Sequence, residues 1–92
     1  MDTYIIAYDI REPKRLHKVF KTMKDFGQHR QYSIFECRIS GISLLKLKNK
    51  LEQIIDKEND QVLIIKLCVR CLDQIETIGI PRIVPQDGFT II

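Results

Sequence analysis

The sequence contains no long hydrophobic run. Its apolar stretches, such as Val62-Leu63-Ile64-Ile65, fall far short of the roughly 20 residues that a bilayer-spanning helix needs. The opening Met1-Asp2-Thr3-Tyr4 carries no basic cluster ahead of its apolar stretch, so a secretory signal is not expected. With four glycines and three prolines, collagen-like and low-complexity classes are excluded. Cysteine is scarce and odd in number, three in all, and these read as free thiols of a reducing compartment. The chain shows no internal repeat, no linker and no Gly-rich phosphate loop, which ranks a small-ligand regulatory module last among the functional classes. Ser33 has no His–acid pair near it in sequence, which argues against a hydrolase nucleophile. The expectation is a soluble cytoplasmic protein with no membrane contact, folded as one domain over residues 1–92.

The charge that is present is unevenly spread. The net charge is +3, yet residues 1–50 hold 11 of the 15 Lys and Arg against five acids, a balance of +6. Residues 51–92 hold the other four bases against seven acids, a balance of −3. An excess of that size favours a polyanionic partner, because phosphates gain Coulomb energy and release condensed counterions. A solvated helix face on an ordinary basic protein is the plainer alternative.

Residues 3–9 are β-branched and aromatic and read as a strand. Pro13 suits the first turn of a helix, along which Leu16, Val19, Phe20, Met23 and Phe26 recur at helical spacing. Gly27 reads as a left-handed terminator. Residues 32–39 read as a second strand, broken at Gly41, with Ser43 as the N-cap of a second helix. That helix puts Leu44, Leu47, Leu51, Ile54 and Ile55 on one face. A third strand covers 61–69, followed by a short helical piece and two short strands, 80–84 and 89–92, around a Pro85-Gln86-Asp87-Gly88 turn.

This order fits an α+β, ferredoxin-like sandwich, an antiparallel sheet with two helices on one face. A full match needs an extra hairpin, expected within 32–43. Two helices cover only one face of such a sheet, yet the strands are apolar on both: Ile5 and Ala7 oppose Tyr4, Ile6 and Tyr8. A second copy of the chain is the simplest cover for the remaining face, which predicts a symmetric homodimer. The 80–92 region is expected to pair with the sheet edge of the partner protomer.

Asp9 ends a hydrophobic strand where the chain enters a loop, a place where active-site groups gather; capping the following turn is the alternative role. Near a dimer axis, two copies of Asp9 would repel unless a cation lay between them, and a hydrated Mg²⁺ or Mn²⁺ needs only one or two protein carboxylates. Arg11, Lys14, Lys18 and Lys21 line one helix face directly after Asp9, with Arg15 at its edge. His29 is a titratable group in the polar 27–31 loop, and a solvated loop histidine is the plainer reading. His17 is given no role. Cys68-Val69-Arg70-Cys71 has C-x-x-C spacing, but too few further ligands exist for structural zinc. No pattern sets the pair at a helix start, so both are expected as buried small side chains at a strand end. Phe35 reads as core or interface, with base stacking as the lesser reading.

Several of these segments together resemble one known family. They are Tyr8-Asp9-Ile10 at a strand end, a basic helix opening Pro13-Lys14-Arg15, Phe26-Gly27, Arg30-Gln31-Tyr32-Ser33-Ile34-Phe35-Glu36, and Val62-Leu63-Ile64-Ile65 leading to Leu67-Cys68 and Cys71. The chain resembles the CRISPR-associated protein two family, the small partner of the CRISPR integrase in spacer acquisition. The resemblance implies a ferredoxin-like fold, a homodimer with exchanged C-terminal strands, and paired strand-end aspartates binding Mg²⁺ (Mn²⁺ as a substitute). It also implies metal-dependent endonuclease activity on single-stranded RNA or double-stranded DNA, and integrase subunits as partners. Carried over, Asp9 is the metal ligand and catalytic carboxylate. Arg15 and Arg30 match basic positions of the family, and Phe35 its aromatic. Together with the basic helix face, Arg11, Lys14, Arg15, Lys18 and Arg30 are expected to bind nucleic acid, and Tyr8 and Phe35 to be interface or stacking residues. The alternative function is a non-catalytic basic dimer that bridges integrase subunits and holds duplex DNA.

Overall fold

The computed structural model describes residues 1–80 and the two strands Val84–Gln86 and Phe89–Ile91. Its elements are β1 (Asp2–Asp9), α1 (Pro13–Lys24), β2 (Gln28–Gln31), β3 (Ile34–Ile39), α2 (Gly41–Ile54), β4 (Gln61–Leu67), α3 (Val69–Leu72), β5 (Val84–Gln86) and β6 (Phe89–Ile91). The first six follow the order β-α-β-β-α-β, the ferredoxin-like arrangement expected from the sequence. They form one antiparallel sheet in the order β2-β3-β1-β4. The strands β5 and β6 pair with each other, Pro85 opposite Thr90. The expected turn at Asp87-Gly88 and the 81–83 part of the preceding strand lie outside the described residues.

Local chemistry sets the helix starts. Glu12 caps α1, its carboxylate accepting the Arg15 N–H at 2.8 Å, and Pro13 fills the first helical position, where no N–H is needed. Ser40, not Ser43, caps α2: its hydroxyl oxygen accepts the Ser43 N–H at 3.2 Å, and Gly41 opens the helix instead of ending a hairpin. The extra hairpin lies earlier, between β2 and β3, and turns through Tyr32 and Ser33. Gly27 serves a purpose other than the one expected. The left-handed backbone among the described glycines is at Gly79 alone, whereas a Cβ on Gly27 would meet Cys37 Sγ at 2.5 Å and the Glu36 carbonyl oxygen at 2.6 Å. Close approach of the chain to β3, rather than helix termination, requires glycine here.

The core fills one side of the sheet. Ile6, Phe35 and Cys37 of the strands are fully buried against Val19 and Met23 of α1 and Leu47 of α2. The other side is only partly covered among the described residues: Thr3 is buried there, and Ile5 and Ala7 are half-buried. Strand alternation directs Ile5 and Ala7 there, and the register sets Ile65 opposite Ile5 and Leu63 opposite Ala7. Leu63 and Ile65 are 52% and 49% exposed. Among the described residues the β4 part of this apolar face is thus open, as the patterning implied.

Candidate functional site

Asp9 is the last residue of the central strand β1, opposite Gln61 of β4. It is exposed, and its carboxylate has no hydrogen-bond or ion-pair partner among the described residues. Asp9 shares its parity with Ile5 and Ala7, so it stands at one end of the apolar face opposite the helices. Tyr8, one residue earlier, points the opposite way into the helix side.

The segment that follows Asp9 is held from a distance. Asp60, with a fully buried side chain, accepts the Arg11 backbone N–H at 2.9 Å and the Asp56 N–H at 2.9 Å. The same carboxylate takes two guanidinium donors, Arg15 Nε at 2.8 Å and Nη2 at 3.3 Å. Asp60 therefore pins the β1–α1 turn to the start of β4 on either side of Asp9. The Arg15 guanidinium, with the backbone donors, holds the Asp60 carboxyl far below the usual carboxylate range. Sequence reasoning assigned Arg15 to nucleic acid and overlooked Asp60. The structure spends the Nε and Nη2 donors of Arg15 on a buried carboxylate.

Other expected positions separate into two groups. Arg11 in the turn before α1 and Lys14, Lys18 and Lys21 along it are all exposed. Arg30 is only partly exposed and sits 3.8 Å from Glu36. Phe35 takes the core alternative of its expected roles, not base stacking, and Tyr8 is nearly buried, with only its edge on the groove described below. Phe35 is fully buried and Tyr8 is 6% exposed, because their parity turns both toward the helices. Phe35 stacks on Tyr8 at 6.3 Å between centroids and meets Phe20 edge-on at 5.7 Å; burial raises the Tyr8 hydroxyl pKa.

His29 is exposed, as the plainer reading has it, but it lies in β2 and not in a loop, with its ring 5.0 Å from Phe35 and 5.1 Å from Phe20. Its Nε2 lies 2.7 Å from the Tyr32 carbonyl oxygen. A carbonyl only accepts, so Nε2 carries the proton. That bond braces Tyr32, whose φ of 31° is the single positive value among the described non-glycine residues. An open groove of about 340 Å³ beside this turn is lined by Tyr8, Leu16, His17, Phe20, Tyr32 and Ser33. It opens on the helix side, away from the Asp9 face.

Two cysteines also depart from expectation. Cys68 and Cys71 are exposed, and Cys68 directly precedes α3 as its cap. β4 ends at Leu67, so the pair lies past the covered part of the sheet.

Among the described residues no three His, Cys, Asp or Glu side chains gather around one point. A closed protein cage for a metal ion is therefore absent from that part of the chain. One exposed, unpartnered carboxylate fits a hard, hydrated ion that keeps most of its own waters. No described helix is long and apolar enough to cross a membrane.

Residues 1–75 match the family described as CRISPR associated protein Cas2. The chain belongs to that family. It is 48% identical over 64 residues to the CRISPR-associated endoribonuclease Cas2 1 of Rhodospirillum rubrum, a match covering 70% of this chain and 63% of that relative. It is 33% identical over 92 residues to the CRISPR-associated endoribonuclease Cas2 3 of Synechocystis, covering all of both chains. The fold superposes on the crystal structure of Streptococcus pyogenes Cas2 with a TM-score of 0.76 at 32% identity, over 84% of this chain and 99% of that one.

Proposed function

We propose that this Cas2-family chain is a divalent-metal-dependent endonuclease of CRISPR adaptation, acting on RNA or duplex DNA as a homodimer. The observation that carries the reading is the position of Asp9, an exposed carboxylate without a partner among the described residues, ending an inner strand on the sheet face opposite the helices. A second copy seated on Ile5, Ala7, Leu63 and Ile65 would bury that face and bring a second Asp9 toward the first across a twofold axis. The names of the Rhodospirillum and Synechocystis relatives support nuclease activity.

Each residue has a defined task. Asp9 supplies the hard oxygen donor. A Mg²⁺ ion held there would polarise a phosphodiester and make an attacking water more acidic. Asp60 and Arg15 fix the turn that carries Asp9. Arg11, Lys14 and Lys18 hold the sugar–phosphate backbone without reading sequence. Binding of this kind would occur in the cytoplasm beside the integrase subunits, and the 80–92 region would add to the partner's sheet edge.

A second reading is supported by the exposed cations Arg11, Lys14, Lys18 and Lys21 set beside the single carboxylate of Asp9. In that reading the dimer is a basic scaffold that holds duplex DNA and bridges integrase subunits, with hydrolysis dispensable.

One experiment separates the two. Single-stranded RNA and duplex DNA are incubated with wild-type protein and Asp9→Asn, with Mg²⁺ and with EDTA, while binding is followed in parallel. The nuclease reading expects cleavage by the wild type with Mg²⁺ only, and a loss of at least a hundredfold in Asp9→Asn at unchanged binding. Cleavage by Asp9→Asn at the wild-type rate would remove Asp9 as the centre. Binding without any Mg²⁺-dependent cleavage by the wild type would favour the scaffold.

A further inference from the structure

The turn from β4 into α3 holds a pair of reactive groups that phosphodiester chemistry leaves unused. Cys68 Sγ and Cys71 Sγ lie 3.2 Å apart and both residues are exposed. Cys68 has extended backbone at φ −75° and ψ 165°, and its Sγ accepts the Cys71 backbone N–H at 3.3 Å. Residues three apart across a helical turn share a face, so both sulfurs project from the same side. A disulfide needs its sulfurs at about 2.05 Å, so bond formation asks for an approach of only about 1 Å.

We propose that Cys68 and Cys71 form a redox-active dithiol that undergoes thiol–disulfide exchange and closes into an intramolecular disulfide. Its substrate class is a small or protein-borne disulfide acting as oxidant. The Cys68 thiolate attacks one sulfur of the oxidant R–S–S–R. That S–S bond breaks, a mixed disulfide forms on Cys68, and the first RS⁻ leaves. Cys71 then gives up its proton and attacks the Cys68 sulfur, which expels the second RS⁻ and forms the internal bond. The two protein thiols lose two electrons, the oxidant gains them, and the two released protons end on the two RS⁻ groups. The geometry assigns the order of events. The Cys71 N–H and the neighbouring sulfur stabilise the Cys68 thiolate and lower its pKa, whereas Cys71 is raised by the adjacent Cys68, and the thiolate is the attacking species.

The third cysteine provides an internal control. Cys37 is fully buried between β3 and the helices, and burial pushes its thiol up to about 11, so it takes no part. The dithiol also lies away from Asp9. Gln61 and Leu67 terminate β4 opposite Asp9 and Thr3 respectively, six strand steps apart, or about 20 Å. The proposal is independent of the nuclease reading.

The test uses the full chain, fully reduced, equilibrated in glutathione buffers of graded thiol-to-disulfide ratio, then quenched with iodoacetamide under denaturing conditions and weighed intact. The expected result is a single transition from three alkylated cysteines to one, Cys37, with monomer mass retained. Cys71→Ser should accumulate a Cys68–glutathione mixed disulfide. Cys68→Ser should react with glutathione disulfide at least ~10-fold more slowly than Cys71→Ser. Both sites are exposed, and far-UV circular dichroism should show unchanged folding for both variants. The proposal is overturned by three alkylatable cysteines at every ratio, by disulfides found only between chains, or by equal rates for the two variants.

Discussion

Arg15 grips Asp60 through two guanidinium donors, Nε to Oδ2 at 2.8 Å and Nη2 to Oδ1 at 3.3 Å, across 45 positions of sequence. The pair joins the first turn of α1 to the residue before β4, and with the Arg11 N–H it closes a frame around the end of β1. A planar fork matched to a buried carboxylate is a task arginine performs and lysine does not.

Acid should loosen this frame. The Asp60 carboxyl titrates below its ordinary value in the folded protein, so its stabilising contribution is complete at pH above the unfolded value of about 3.9. That contribution is lost as pH falls below this point. Asp56 and Glu12 shift in the same direction, through hydrogen bonds from Asn59 and from the Arg15 backbone. Urea midpoints of the wild type should therefore hold above pH 4 and fall between about pH 4 and pH 2. In Asp60→Asn the midpoint should start lower, with a melting temperature reduced by ~10 °C, and should depend less on pH. Parallel pH curves for the two proteins would show that Asp60 is not the titrating group.

Truncation of Phe35 separates core from contact surface. Its side chain is fully buried amid Tyr8, Phe20 and His29, so Phe35→Ala should cost roughly 3–5 kcal/mol in urea unfolding. A stacking residue on the surface would leave unfolding almost unchanged and weaken nucleic-acid binding instead.

The visible and hidden parts of this fold differ for physical reasons. β1, α1, α2 and β4 carry strong apolar periodicity, and each appears within two residues of its expected limits at most ends. β2 is Gln28-His29-Arg30-Gln31, with no β-branched or aliphatic residue. It is a strand because His29 docks on Phe20 and Phe35 and because Gly27 lets the chain press against β3, and neither cause has a local signature. Asp9 and the α1 cations were legible because strand end and helix phase are local properties. Asp60 was not, since it sits in the polar stretch Glu58-Asn59-Asp60 and its partner lies far away in sequence. The cysteines were misread because the strand stops at Leu67, two residues short of expectation, which leaves Cys68 to cap a turn.

Charge placed on the apolar sheet face should divide the proposed dimer. Leu63 and Ile65 are half exposed within one chain, so Leu63→Asp with Ile65→Lys should leave the protomer folded. Light scattering is expected to give twice the chain mass for the wild type and the chain mass for the variant, with matching far-UV spectra. A wild type of single-chain mass at micromolar concentration would contradict the dimer.

The exposed cations of α1 should reveal themselves through salt. With about six phosphate contacts, affinity for duplex DNA should drop roughly a thousandfold between 50 and 200 mM salt. Replacing Lys14, Lys18 and Lys21 by Ala should flatten the log–log slope by about 0.9 per lost contact. An affinity indifferent to salt would exclude this helix as the binding surface.

Parity along β1 constrains how this protein can change over generations. Asp9 reaches the open side only because an even number of steps separates it from Ile5 and Ala7. A one-residue insertion or deletion between them would turn the acid inward against Phe35 and thrust Tyr8 outward. Descendants of this gene can vary that strand by replacement but not by length.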